Sequence, residues 1–179
     1  MEPFFLIEAT MEIGELIRNR LGDENPGDIR VLCIEKEALR FQYVNENRLT
    51  NEIVLKAGYA SISSRFYKHE IPTESEIEYA INFIEDELMS TRELLNRDER
   101  LVCFDNILVE LLQKNKAMKE QYTTGDIEAI FSRYANLSMG EPLSRNGLQT
   151  TTDDFAVILV LREVMHHLKF KQIRIYACE

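Results

Sequence analysis

The sequence has no tryptophan, four prolines, seven glycines and three histidines. So few prolines and glycines exclude collagen-like and linker-rich chains. The three cysteines, Cys33, Cys103 and Cys178, are far apart, and their odd number without C-x-x-C spacing argues against a disulfide framework or a zinc ribbon. Cys33 and Cys103 sit among apolar neighbours and read as small core residues in a reducing, cytoplasmic setting. Positive charge is scarce as well. Twenty-one Lys and Arg face thirty-one Asp and Glu, a formal charge of −10. Such a surface repels a phosphate backbone, so nucleic acid is not an expected partner. Two small basic groups stand out, Arg65, Lys68 and His69, then Lys169, Lys171 and Arg174, and both read as solvated element ends. No apolar run reaches the length of a membrane span, and no membrane contact is expected. The first twenty-one residues lack the basic start and small-residue cleavage site of a signal peptide.

What is present is an ordinary globular composition, 45% hydrophobic and 29% charged over 179 residues, enough to bury a core without staples. The expectation is one globular domain over 1–179, with a strand-rich part (1–70) and a helical part (71–170) sharing one core. Leu6, Ala9, Ile13, Leu16, Ile17 and Leu21 recur at helical spacing. After the breaker GDENPGD, IRVLCIE and ALRFQYV read as two strands joined by a tight turn. EIVLKAGYASISSRF reads as a third strand whose alternation changes phase near Gly58. Residues 58–67 are left as strand or short helix.

Thr73 and Glu76 form a capping box that opens the clearest element. Ile77, Ile81, Ile84, Leu88, Thr91 and Leu95 then make a narrow apolar seam, predicting a helix from Thr73 to about Asn96. LVCFDNILVELLQKNKAM reads as a helix packed back on it in a hairpin, and Ile127 to Leu137 as another helix, capped by Thr124. A further helix, TDDFAVILVLREVMHHLKF, and a strand, KQIRIYA, close the chain. The predicted class is α+β: a small, mainly antiparallel sheet packed with about five helices, the C-terminal strand joining the sheet.

His166 and His167 lie one turn from Glu163, which is half of a carboxylate–histidine metal motif. A second Glu-x-x-His is absent, since His69 is preceded by Phe66 at the required position. Helical projection groups Arg162, Glu163, His166 and His167 on a wet face opposite Val157, Leu161, Val164, Met165 and Leu168. No metal and no cofactor are expected, and no catalytic residue is assigned. The loop 138–152 is the candidate ligand loop, with Arg145, Asn146 and Gly147 leading to Asp153 and Asp154 at a helix start. Helix starts attract anions, but the two aspartates repel them. The loop matches neither a P-loop nor a dinucleotide fingerprint, and no actin-like phosphate loop, kinase motif or hydrolase motif is present. Tyr79 and Phe83, one turn apart and opposite the seam, are the candidate interaction residues. These features predict a non-enzymatic cytoplasmic domain that binds a protein partner or its own copy. The alternative is a small hydrolase or ligand-binding enzyme using the polar loop and the following helix N-terminus.

Overall fold

A computed structural model describes residues 15, 17, 19–21, 27–95, 98–142 and 150–177. Its frame is a six-stranded sheet of order β3-β2-β1-β4-β6-β5. The strands are β1 (Ile29–Ile34), β2 (Leu39–Asn45), β3 (Arg48–Leu55), β4 (Arg100–Cys103), β5 (Gln121–Thr123) and β6 (Gln172–Ile175). β1 pairs in parallel with β4, and β4 in parallel with β6. The β1–β2, β2–β3 and β5–β6 pairs are antiparallel. The sheet is therefore larger than expected and mixed, not small and mainly antiparallel. The C-terminal strand sits inside it, between β4 and β5.

β1 shows why a parallel centre forms. Ile29 and Val31 feed one face of the sheet, Leu32 and Ile34 the other, and all four are buried. A strand apolar on both sides must be covered on both sides. The side lined by Ile29, Val31, Val44, Val102 and Phe104 receives Ile17 from helical residues near the N-terminus. The other side carries the main core and the helices α1 (Tyr59–Phe66), α2 (Glu74–Met89), α3 (Asn106–Lys114), α4 (Thr124–Ser138) and α5 (Thr152–His167). β2 and β3 are joined at Glu46 and Asn47, both with positive φ, as a two-residue hairpin turn requires.

α5 is the central helix. Every residue from Asp154 to Leu161 is buried, because the sheet and the other helices surround it. Its N-terminus is closed by a capping box of Thr151 and Asp154. α2 has the expected box of Thr73 and Glu76 and buries Ile77, Ala80, Ile84 and Leu88, but it ends at Met89. A 3-10 turn follows at Arg92–Leu94, and Leu95 is exposed rather than part of the seam. Residues 58–67 resolve as helix. The phase change at Gly58 is the boundary between β3 and α1.

The expected helical hairpin is corrected. Arg100–Cys103 is a strand, and only Asn106–Lys114 is helix. Leu101, Val102 and Cys103 are apolar on consecutive positions, which suits a buried parallel strand as well as a helix. Asp105 stands at the break, with extended backbone as the N-cap of α3. The α4 cap is Thr123, one residue before the expected Thr124. No helix among the described residues is long and apolar enough to cross a membrane.

Candidate functional site

In sheets with parallel strands, ligands meet the chain in the crevice beyond the strands' carboxyl ends. Here that crevice lies past Ile34 of β1 and Cys103 of β4. Asp105 sits in it, two residues after β4 ends. Its Oδ2 accepts the Ile34 backbone N–H, so the carboxylate bridges the ends of the two parallel strands. Burial raises its pKa above the ordinary carboxylate value. The bonds from Ile34 and Cys103 counter this only in part, and the Glu35 charge adds to the rise.

Tyr59, the first residue of α1, is a buried core residue close enough to Asp105 to feel its charge. Burial first, then the negative charges of Asp153, Glu110 and Asp105, raises the pKa of its hydroxyl above the ordinary tyrosine value. From the second turn of α1, the Ser63 hydroxyl donates to Asp153 of α5. The strand ends thus bring together a half-buried carboxylate, a buried phenol and Asp153, with Glu110 near enough for its charge to act on the phenol.

The β1–β2 turn forms its near wall. The carbonyl of Glu35 accepts the Tyr59 N–H, and the carbonyl of Lys36 accepts from Ala60 and Ser61. The turn carbonyls therefore occupy the amide end of α1. This fit requires Gly58. A Cβ there would stand 2.3 Å from Ala38 N, 2.3 Å from Glu37 C and 2.4 Å from Lys36 O, all backbone atoms.

The candidates from the sequence are distributed differently. Arg145, Asn146 and Gly147 lie outside the described residues. Asp154 does not face the crevice as a free charge. It caps α5 and is held by Lys114 Nζ at 2.9 and 3.1 Å. Asp153 accepts the Ser63 hydroxyl. Glu163 is 1% exposed, so its placement on a wet face is corrected. Because α5 is packed on nearly all sides, the face opposite its apolar stripe meets other helices, and Glu163 is held there by Arg162 and by His167 at 3.0 Å. His166 is exposed, and its ring meets His167 edge-on at 5.2 Å. His69 pairs with Glu76 at 3.0 Å. Among the described residues no three His, Cys, Asp or Glu side chains are grouped to hold a metal ion. Tyr79 is 66% exposed, whereas Phe83 is covered within the chain by Phe66, 5.4 Å away, and by Arg65.

Sequence reasoning missed Asp105, Tyr59 and Ser63. For Asp105 a signal existed: LVCF followed by an acid and then a helical pattern is the strand–acid–helix order of a crevice residue. It was hidden because the apolar run also fits a helix.

This fold is one used by phosphatases. The chain matches the structure of the Aquifex aeolicus Ppx/GppA phosphatase with a TM-score of 0.73 at 15% identity, over 94% of this chain and 58% of that one. An exopolyphosphatase from Cytophaga hutchinsonii matches with a TM-score of 0.58 at 15% identity, over 94% and 59%. An exopolyphosphatase-like protein matches with a TM-score of 0.66 at 10% identity, over 87% and 56%. The chain thus spans a little under three fifths of the length of these structures. No family model and no curated protein matches the sequence. The likeness corrects the expectation of a non-enzymatic interaction domain, because the structures that share this fold are described as phosphatases, which is nearer to the alternative expectation of a hydrolase.

Proposed function

We propose that the chain is a phosphohydrolase domain acting on phosphoric anhydrides, with its chemistry in the crevice at the carboxyl ends of β1 and β4. The observation that carries this reading is Asp105, a half-buried carboxylate bridging the ends of two parallel strands in a fold shared with phosphatases. Phosphoryl transfer needs mainly positioning and charge stabilisation. In the proposed reaction Asp105, ionised, takes the proton of a water whose oxygen attacks phosphorus. The bond to the leaving phosphate breaks, and that phosphate accepts a proton from solvent. The Tyr59 hydroxyl donates a hydrogen bond to a phosphoryl oxygen. Since the charges of Asp153 and Glu110 reach Tyr59 alongside that of Asp105, the substrate enters as its divalent-cation complex, whose charge offsets theirs.

The test is phosphate release from linear polyphosphate by the full chain and by Asp105→Asn. General-base catalysis contributes about 10²–10⁴-fold, so release should fall by at least about tenfold while the melting temperature is kept. The acid limb of the wild-type pH profile should lie above the ordinary aspartate range and vanish in the variant. Absence of release from any phosphoric anhydride, or equal rates for both proteins, would refute the proposal.

A further inference from the structure

At the other end of the same strands lies a cavity of about 620 Å³. Arg100 begins β4 and Gln172 begins β6, and both line it, with Lys169, Phe170 and Lys171 from the connection after α5. The cavity has a structural cause. The N-terminal helical residues cover β1, β2 and β4 on their side of the sheet and reach the cavity at Leu21. Among the described residues no element continues that cover over β6 and β5.

Four cations line it, Arg100, Lys169, Lys171 and Arg174, against two acids, Asp98 and Glu99. In a chain of formal charge −10 this is a local reversal of sign. Glu99 is moreover paired from behind by Arg30, which is wholly buried. Arg30 also lies over the ring of Phe170, 5.2 Å from its centroid, and among the described residues its Nε has no hydrogen-bond partner. A buried cation thus stands directly behind the wall and offsets one of its two acids. Phe170 is 2% exposed and anchors the segment, with a lysine on either side of it. Lys169 has φ 63°, the left-handed position that glycine fills without strain. Its charge is therefore carried at some conformational cost. Arg174 is oriented by Gln121, which accepts from its Nε at 3.2 Å.

We infer that this cavity binds a small polyanion, a molecule with two or more phosphate or carboxylate groups. The volume lies within the range of small-molecule sites, roughly 300–1,000 Å³. Leu21, Leu101, Val102 and Ile173 give the lining an apolar floor, and the excess of cations over acids at its rim supplies the charge recognition. Arg174 gives a forked donor suited to one anionic group, and the two lysines give point charges for another. The site is separate from the proposed catalytic crevice. From Arg100 to Asp105 the extended chain runs roughly 16 Å.

The experiment is calorimetric titration of the full chain with tripolyphosphate and with citrate at low salt and without divalent cation, conditions in which the crevice does not take the anhydride. Three variants accompany it: Lys171→Ala with Arg174→Ala, Arg48→Ala with Lys56→Ala as a control removing equal charge elsewhere, and Asp105→Asn. Binding should weaken at least tenfold in the first variant, by less than threefold in the control, and not at all in Asp105→Asn. Tripolyphosphate alone binding identifies phosphate as the recognised group, and both binding identifies polyanions at large. Either result supports the inference. No binding of either probe to the wild type overturns it, as does equal weakening in the two double variants. If the first variant does not fold, Lys171→Gln alone carries the same test, with a smaller loss expected and no loss refuting. Loss of hydrolysis without loss of this binding would separate this inference from the proposed reaction.

Discussion

Replacing Gly58 by alanine tests the crevice wall most directly. The added methyl would lie 2.3–2.4 Å from three backbone atoms of the β1–β2 turn. Backbone cannot rotate away as a side-chain end would, so either the turn or α1 must move. The backbone conformation itself is not the obstacle, since φ is −70°. Moving the turn stretches three hydrogen bonds of 2.9 to 3.2 Å, from Tyr59, Ala60 and Ser61 to the carbonyls of Glu35 and Lys36. Each has a net worth of about 0.5–1.5 kcal/mol, and forced overpacking costs about 1–3 kcal/mol by itself. The two overlap, so the expected loss is about 3–5 kcal/mol. For a chain of this size that is a fall of about 6–20 °C in melting temperature, at roughly 2–4 °C per kcal/mol. Gly125→Ala is the internal control. It lies in the first turn of α4, and its Cβ meets only Thr123 Oγ1, at 3.8 Å. That variant should gain about 0.4–1 kcal/mol, mainly by restricting the unfolded chain. Thermal and urea denaturation of both variants reads the difference. If Gly58→Ala melts within about 2 °C of the wild type, the close approach of α1 to the turn is wrong, and with it the closed amide end of that helix.

Leu161→Ala should destabilise by about 2–5 kcal/mol, since the side chain is fully buried in α5, whereas exposed His166→Ala should stay within about 0.5 kcal/mol. Equal urea midpoints would mean that α5 is rotated. Glu76 has its pKa lowered: burial pushes it up, but the backbone N–H groups of Thr73 and Lys68 and the imidazole of His69 together outweigh that. A carboxylate depressed in the fold stabilises fully above its ordinary value of 4.5 and loses that contribution as pH falls from there through the lower folded value. The stability difference between wild type and Glu76→Gln should therefore shrink below pH 4.5, and a constant difference from pH 7 to 3 would contradict the pairing. Burial raises the thiol pKa of Cys33 to about 12 and that of Cys103 well above its ordinary value. In a Cys178→Ser background neither should react with a thiol reagent at pH 8 until denaturant is added, and fast labelling of the native protein would show the sheet to be open there.

How much could be read from the sequence depended on whether one period dominated a stretch. α2 was legible because its capping box and apolar steps agree, and Ile77, Ile84 and Leu88 are buried as expected. β1, β2 and β6 were legible from alternation or from a short apolar run between breakers. β4 was not. Leu101, Val102 and Cys103 precede Phe104, Ile107, Leu108 and Leu111, which continue a helical pattern across the break at Asp105. Once β4 is taken for helix, the parallel centre of the sheet disappears and the topology reads as antiparallel. The site was lost by the same step, since the crevice exists only where β1 and β4 end together. Glu163 failed for another reason. Projection divides a helix into two faces, but α5 is enclosed on nearly all sides, and a charged residue there meets Arg162 and His167 instead of water.

The distribution of charge along β4 joins these observations. At its carboxyl end the chain places Asp105, with Glu110 and Asp153 nearby, and burial keeps the pKa of Asp105 raised. At its amino end it places Arg100 beside Lys169, Lys171 and Arg174, with Arg30 buried behind them. Neither arrangement helps the fold by itself, since exposed like charges repel and buried ones lose hydration. Arg30 shows the cost most clearly. A methionine there would keep the stem packing beside Tyr43 and Phe170 without desolvating a charge, and would take from Glu99 its buried cationic partner. If the wall acid matters only for stability, Arg30→Met with Glu99→Gln should be neutral or stabilising, as exchange of a buried pair for apolar packing often is. If the pair instead sets the charge of the wall, that double variant should bind tripolyphosphate with altered affinity at unchanged or higher stability. An unchanged affinity would assign the pair to the core alone, leaving Arg100, Lys169, Lys171 and Arg174 to act without it.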